Sequence, residues 1–240
     1  MGSFKSGTMR SVVPSLKVVV LTACKYKQAS ISTVLNYPLE SAILLVVRSL
    51  TRPLEHVKRI WLVTGEPGSG KSTAVSKMLF HIRSKGFTVG GVLTREIRSH
   101  GEREGFRLVD LSSEESEVLA SVTGITGPKI GKYRVDLKAL SGLGTKALMH
   151  ASEYSDLVVC DEVGPMELLS PEFKKAIHKS VIESNKPCIC VVHKRYSEPI
   201  IDELRSSPES TEVEVTFENR DEIAMELAGE ILEFLNLKVE

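Results

Sequence analysis

The run Ile60-Trp61-Leu62-Val63-Thr64-Gly65-Glu66-Pro67-Gly68-Ser69-Gly70-Lys71-Ser72 decides how this chain folds. Its first five residues read as a strand buried on both faces. The next eight fit the spacing G-x-x-x-x-G-K-[ST] without deviation. Behind them Ala74, Val75, Met78, Leu79 and Ile82 recur at helical spacing, and Gly86 supplies a stop. Strand, glycine-rich loop and helix, in that order, make a cradle for phosphate. Backbone N–H groups must wrap the phosphate oxygens, and Cβ atoms would block that approach, so Gly65, Gly68 and Gly70 are needed. The helix opening near Lys71 points its positive dipole end at the anion. Lys71 can reach the terminal phosphates of a nucleotide, and the Ser72 hydroxyl can ligate Mg²⁺. The stretch Gly65–Thr73 is therefore the candidate nucleotide-binding segment.

Outward from this unit, strands and helices alternate. Val89–Thr94, Phe106–Leu111 and Val118–Val122 read as strands, the last two joined by the acidic turn Ser112–Glu115. Asp136 caps a helix that runs in pieces to about Tyr154, because Gly142 and Gly144 weaken its middle. Leu157–Cys160 is another buried strand. Ser170-Pro171-Glu172 has the capping hydroxyl, first-turn proline and acid of a helix start. Cys188–Val192 reads as a strand, Glu198–Arg205 as a short helix, Val213–Phe217 as a strand, and Asn219 opens the last helix. The alternation predicts an α/β fold in three layers, a largely parallel sheet with helices on both faces.

Asp161-Glu162 follows the strand Leu157–Cys160. In a parallel sheet the carboxyl ends of the strands face the ligand crevice, so this strand carries both acids toward the phosphates. Asp161 is the candidate second magnesium ligand beside Ser72. Glu162 is the candidate for orienting and activating an attacking water. Phosphoryl transfer also needs positive charge on the developing oxygens. Arg95, Arg98, Arg103, Lys194, Arg195 and Arg220 are candidates that spacing alone does not separate. His193 ends the strand after the acidic one, where it either senses the γ-phosphate or serves the structure.

Composition is that of an ordinary globular protein, 42% hydrophobic and 26% charged, with 31 basic and 31 acidic residues. Nothing global marks nucleic acid or an anionic membrane as the main partner. The balance hides a contrast. Residues 1–58 carry eight Lys/Arg and two acids, leaving 23 basic and 29 acidic residues for the remainder. That segment shows two apolar runs, Leu16–Leu21 and Ala42–Val47, and no recognisable chemistry. It is expected to be an N-terminal extension, disordered or created by a misplaced start, ahead of a working domain at 59–240. A start at Val57 would leave 184 of the 240 residues. No apolar run approaches the ~20 residues that span a bilayer. Cys24, Cys160, Cys188 and Cys190 form no C-x-x-C pair and are expected to be reduced, buried thiols of a cytoplasmic protein.

From about Arg59 to Glu240 the chain resembles the thermophilic, or cancer-related, nucleoside-triphosphatase family. Beyond the phosphate loop, the resemblance rests on Thr94-Arg95-Glu96-Ile97-Arg98, Arg103-Glu104-Gly105-Phe106 and Val192-His193-Lys194-Arg195. The most specific segments are Asp161-Glu162-Val163-Gly164-Pro165-Met166-Glu167-Leu168 and Glu218-Asn219-Arg220-Asp221. The resemblance implies a RecA-like P-loop core and Mg²⁺-dependent hydrolysis of ATP, GTP and other triphosphates. It implies active-site roles for Arg95, Glu96 and Arg98, with Arg95 beside Lys71 and Glu162 as catalytic, and a base-side or stabilising contact from Asn219 and Arg220. A monomer is expected. Two other readings stand beside hydrolysis. One is a kinase for a nucleotide or small acceptor, with Arg95–Arg107 as a short lid. The other is a nucleotide-controlled switch or RNA-associated protein using the basic N-terminal arm.

Overall fold

A computed structural model describes residues 58–238 of the chain; the N-terminal extension, with its two apolar runs and Cys24, lies outside them. The strand before the glycine-rich loop, β1 (Ile60–Thr64), is buried at all five positions. Alternate residues of it feed two cores. Ile60 and Leu62 pack into one, Trp61 and Val63 into the other. The strands β7 (Leu157–Val163) and β8 (Cys188–Val192) divide in the same way: Val158, Cys160, Cys188 and Cys190 face one core, Val159, Ile189 and Val191 the other. A strand covered on both faces must be apolar at every position, which is why these runs show no alternation. The three described cysteines, Cys160, Cys188 and Cys190, are buried, as expected.

Helices α1 (Lys71–Ser84) and α5 (Arg220–Lys238) cover the Trp61 side. The indole of Trp61 donates to Glu230 Oε2 at 2.8 Å and meets the Phe234 ring edge-on, fixing α5 to the strand. On the other side lie α2 (Thr145–Tyr154), α3 (Pro171–Ile177) and α4 (Pro199–Ser206). The piecewise helix leading into α2 is as anticipated: Asp136 accepts from the Lys138 N–H at 2.9 Å, and a π-type turn spans Leu140–Gly144. Ser170 caps α3 by accepting from the Phe173 N–H at 3.2 Å.

The nine strands of the described residues form one sheet in the order β5 (Lys129–Ile130), β6 (Tyr133–Val135), β4 (Ser116–Ser121), β3 (Glu102–Asp110), β2 (Val89–Ser99), β7, β8, β1, β9 (Ser210–Glu214). The half containing β2, β7, β8, β1 and β9 is parallel. The other half, β3, β4, β5 and β6, extends the sheet antiparallel. The sheet is therefore mixed where a largely parallel one was expected, because β2 does not stop at Thr94. Its first five residues are buried and its last six project beyond the parallel sheet, paired only with β3. The turn joining them has positive φ at both His100 (50°) and Gly101 (83°), the two-residue geometry that matches strand twist. β9 also differs from expectation. It is Ser210–Glu214 that pairs with Ile60–Thr64, and Thr216–Asn219 turns away.

Candidate active site

The carboxyl ends of β1, β7 and β8 open into a cleft of about 820 Å³. Gly65, Glu66, Pro67, Gly68, Gly70, Lys71, Ser72 and Thr73 line it on one side, Asp161 and Glu162 form its floor, and Arg95, Glu96, Arg98 and Arg103 close the other side. His193, Lys194, Arg195 and Arg220 complete the rim. Of the residues singled out by sequence, Ser69 and Asn219 do not line it. Ser69 lies inside the loop, its N–H on Glu66 O at 3.1 Å. Asn219 is spent on its own turn: Oδ1 accepts from the Thr216 N–H at 2.7 Å, and Nδ2 donates to Glu214 O at 3.1 Å.

The loop is drawn tightly under its neighbours. A Cβ on Gly65 would lie 2.4 Å from the Val215 carbonyl oxygen, and one on Gly70 would lie 2.6 Å from Arg220 Cδ. Both positions also have φ in the left-handed half, 152° and 98°, so only glycine serves. Lys71 Nζ donates to the carbonyls of Gly65 at 2.9 Å and Glu66 at 3.2 Å, which holds the ammonium over the loop. Glu66 is bridged by Arg195 at 2.7 Å and Lys194 at 3.4 Å, and Lys194 also reaches Glu214 at 2.6 Å. The hydrogen bonds from Arg195 and then Lys194 hold the Glu66 carboxyl below its usual range.

Six buried side-chain polar atoms among the described residues lack a hydrogen-bond partner, and four surround the loop: Thr64 Oγ1, Ser69 Oγ, Asp161 Oδ2 and Arg220 Nε. Buried polar groups are nearly always paired, so this concentration marks a place built for a polar ligand. Burial pushes Asp161 up to about 8, the Glu162 charge adds to it, and Lys71 opposes. Burial also raises Glu162, against the pull of Lys71 and His193. Both acids therefore lie within electrostatic reach of the Lys71 ammonium. His193 Nδ1 faces the backbone N–H groups of Tyr196 (3.1 Å) and Arg195 (3.3 Å), so it accepts and leaves the ring proton on Nε2.

On the opposite side Glu96 binds Arg98 and Arg103, both at 2.6 Å. Burial works against it, but these two hydrogen bonds hold the Glu96 carboxyl below its usual range. Arg103 also donates to the Tyr133 hydroxyl at 3.2 Å and lies over the Phe106 ring. Arg95 lines the cleft, and among the described residues no carboxylate pairs with its guanidinium, in contrast to Arg98 and Arg103. Two contributors escaped the sequence reading. The Thr94 hydroxyl donates to Asp161 O at 2.7 Å and pins β2 to the acidic strand where the two part. Glu167, only 5% exposed, brings its carboxylate to Gly164 on the side where Glu162 also lies, 3.2 Å and 3.0 Å from where a Cβ would stand, and burial, then the Glu162 charge, raises it to about 8. Its place in Met166-Glu167-Leu168 was visible, but nothing in spacing said that the short helical turn Glu167–Leu169 would bury it.

The model of a family described as NTPase matches residues 60–228, a span that contains every residue lining the cleft. The chain belongs to this nucleoside-triphosphatase family. Nucleoside-triphosphatase THEP1 of Methanosarcina acetivorans is 42% identical over 171 residues, which cover 71% of this chain and 95% of that protein. THEP1 of Methanopyrus kandleri is 37% identical over 175 residues, covering 72% and 96%. The crystal structure of THEP1 from the hyperthermophile Aquifex aeolicus superposes with a TM-score of 0.63 at 27% identity, covering 70% of this chain and 96% of that one. The solution structure of a human cancer-related nucleoside triphosphatase gives 0.61 at 28%, covering 72% and 96%. Membership of the NTPase family fixes the P-loop fold and agrees with the RecA-like expectation. No helix of the described residues is long and apolar enough to cross a membrane.

Proposed function

We propose that the chain hydrolyses nucleoside 5′-triphosphates to diphosphate and phosphate with bound Mg²⁺ and little selection among bases. The observation that carries this reading is Asp161 Oδ2, buried, without a partner, and placed in the same cleft as the phosphate loop. Asp161 and the Ser72 hydroxyl would hold the ion. Among the described residues no group of three or more His, Cys, Asp or Glu side chains could hold a metal alone. That suits Mg²⁺, which takes one or two protein ligands together with phosphate and water oxygens. Bound there, the ion would neutralise charge on the terminal phosphates.

The remaining chemistry falls to the chain itself. Backbone N–H groups of Gly65–Thr73 wrap the phosphates, and Lys71 follows the charge toward the leaving group. Glu162 accepts a hydrogen bond from the attacking water and takes its proton. Arg95 faces the phosphoryl oxygens, since Arg98 and Arg103 are bound to Glu96, and Lys194 and Arg195 to Glu66. The buried thiols of Cys160 and Cys190 support a cytoplasmic setting.

The test uses the purified full chain with Mg²⁺ and ATP, GTP, CTP or UTP, alone and with candidate acceptors. Free phosphate should appear with every triphosphate. Glu162→Gln should lower its release by about 10²-fold or more, the range for removing a general base, while nucleotide binding persists. Undiminished release in that variant refutes the role of Glu162. Phosphate arriving on an acceptor instead would make the protein a kinase.

A further inference from the structure

We infer that the ring of Phe217 is the platform on which the nucleotide base stacks, and that Arg220 holds the ring in place. The inference rests on the reading that the cleft binds a nucleoside triphosphate. The direction of the ligand follows from the strand order. β9 lies on one side of β1, and β8, β7, β2 and β3 lie on the other. Glu162 and Arg95, the groups that meet the terminal phosphate, stand on the β7–β2 side. The base must therefore leave the phosphate loop toward β9 and the turn that follows it.

That turn carries Phe217, which is 66% exposed although it is a large apolar ring. One face is covered by the Arg220 guanidinium, its Cζ 4.4 Å from the ring centroid. The other face is open. Arg220 lines the cleft and packs against Gly70, so the stacked pair is continuous with the phosphate loop. The turn is rigid: Asn219 Oδ1 accepts from the Thr216 N–H, Nδ2 donates to Glu214 O, and the Asn219 backbone N–H donates to the Thr216 hydroxyl oxygen at 3.3 Å. These bonds engage both ends of the Asn219 side-chain amide, the side chain of the turn best suited to reading the edge of a base. Phe217 stands beside the cleft at the Arg220 rim; Phe106, which does line it, lies on the β3 side and is already engaged by Tyr133 and Arg103. A ring without an edge reader accepts every base, because every base has a π face. Broad base tolerance is thus the expected consequence of this site.

Phe217→Ala should raise KM and the dissociation constant for ATP, GTP, CTP and UTP by a similar factor, roughly five- to hundredfold, with kcat little changed. Affinity for inorganic tripolyphosphate should not move. Phe217→Trp should restore nucleotide affinity, and its fluorescence should respond to nucleotide but not to tripolyphosphate; the sole native tryptophan, Trp61, is buried. Equal loss for tripolyphosphate would mean that the turn has collapsed, and would overturn the inference. So would loss confined to one base, or no loss. A protein that binds nucleotide through Phe217 but releases no phosphate would refute hydrolysis and leave the platform standing.

Discussion

The wall of the cleft built from the loop between β1 and α1 presents mostly backbone to its ligand, whereas the wall built from the β2–β3 hairpin presents side chains. The first is held by close approach: Gly65 under Val215, Gly70 under Arg220, and Lys71 over the carbonyls of Gly65 and Glu66. The second is held by charge: Glu96 between Arg98 and Arg103, with Arg103 passed on to Tyr133 and Phe106. A backbone cradle binds any phosphate chain, because the groups that touch the ligand are the same in every residue. A cationic hairpin distinguishes one stage of the reaction from another, because a guanidinium gains most where negative charge develops. The first wall should therefore govern affinity and the second the chemical step.

The sharpest way to break this contrast is Lys71→Ala. It removes the one cation of the Gly65–Thr73 loop, and triphosphate affinity should fall by at least 10²-fold in isothermal titration. The fold should survive, since among the described residues the Lys71 ammonium hydrogen-bonds two loop carbonyls and no other group. Wild-type affinity would overturn the reading of the loop.

Next in size is Arg95→Ala on the opposite wall. Here kcat should fall by roughly 10²–10³-fold, the usual loss for one donor aimed at developing charge, with KM nearly unchanged. Arg98→Ala serves as the comparison. Its guanidinium already carries the charge of Glu96, and kcat should change by only a few-fold. If the two variants exchanged places, Glu96 would be releasing Arg98 on binding, and the free arginine would not be the working one.

The two walls were also unequally legible. The phosphate loop could be read from eight consecutive residues because each glycine answers a local backbone demand, and local demands are written in order along the chain. The buried strands were legible for a related reason: a strand covered on both faces is a continuous apolar run. The hairpin was not. Val89–Thr94 was visible as its apolar part, but Arg95–Ser99 and Glu102–Gly105 are polar and are strand only because each pairs with the other. The turn signal was hidden too, since His100 takes the first position where Asn or Asp would announce it. Register likewise decided β9, which Val213–Phe217 suggested by composition and Ser210–Glu214 supplies by pairing with β1. Candidate charges were therefore legible as a list, while their division into bound and free needed the pairing of β2 with β3.

The smallest expected effect concerns the floor on which both walls stand. Glu167 is buried beside Gly164, and its carboxyl, ordinarily near 4.5, titrates at about 8. A carboxyl raised in this way keeps its proton in the fold after the unfolded chain has released it. Between those two values the native state binds more protons, so stability must fall as pH rises through that window. One such group contributes a slope of up to about 1.4 kcal/mol per pH unit. Glu167→Gln has nothing to ionise and keeps the shape. In magnesium-free buffer, urea unfolding at pH 5, 6.5 and 8 should give a wild-type stability that declines more steeply than that of the variant. The curves should nearly coincide at pH 5 and separate at pH 8, with the variant the more stable. Parallel curves would mean that Glu167 is ionised throughout. The charges of Asp161 and Glu162 would then have to be balanced on the floor itself, by the Lys71 ammonium, and the walls would be left with less of the electrostatic work than their contrast requires.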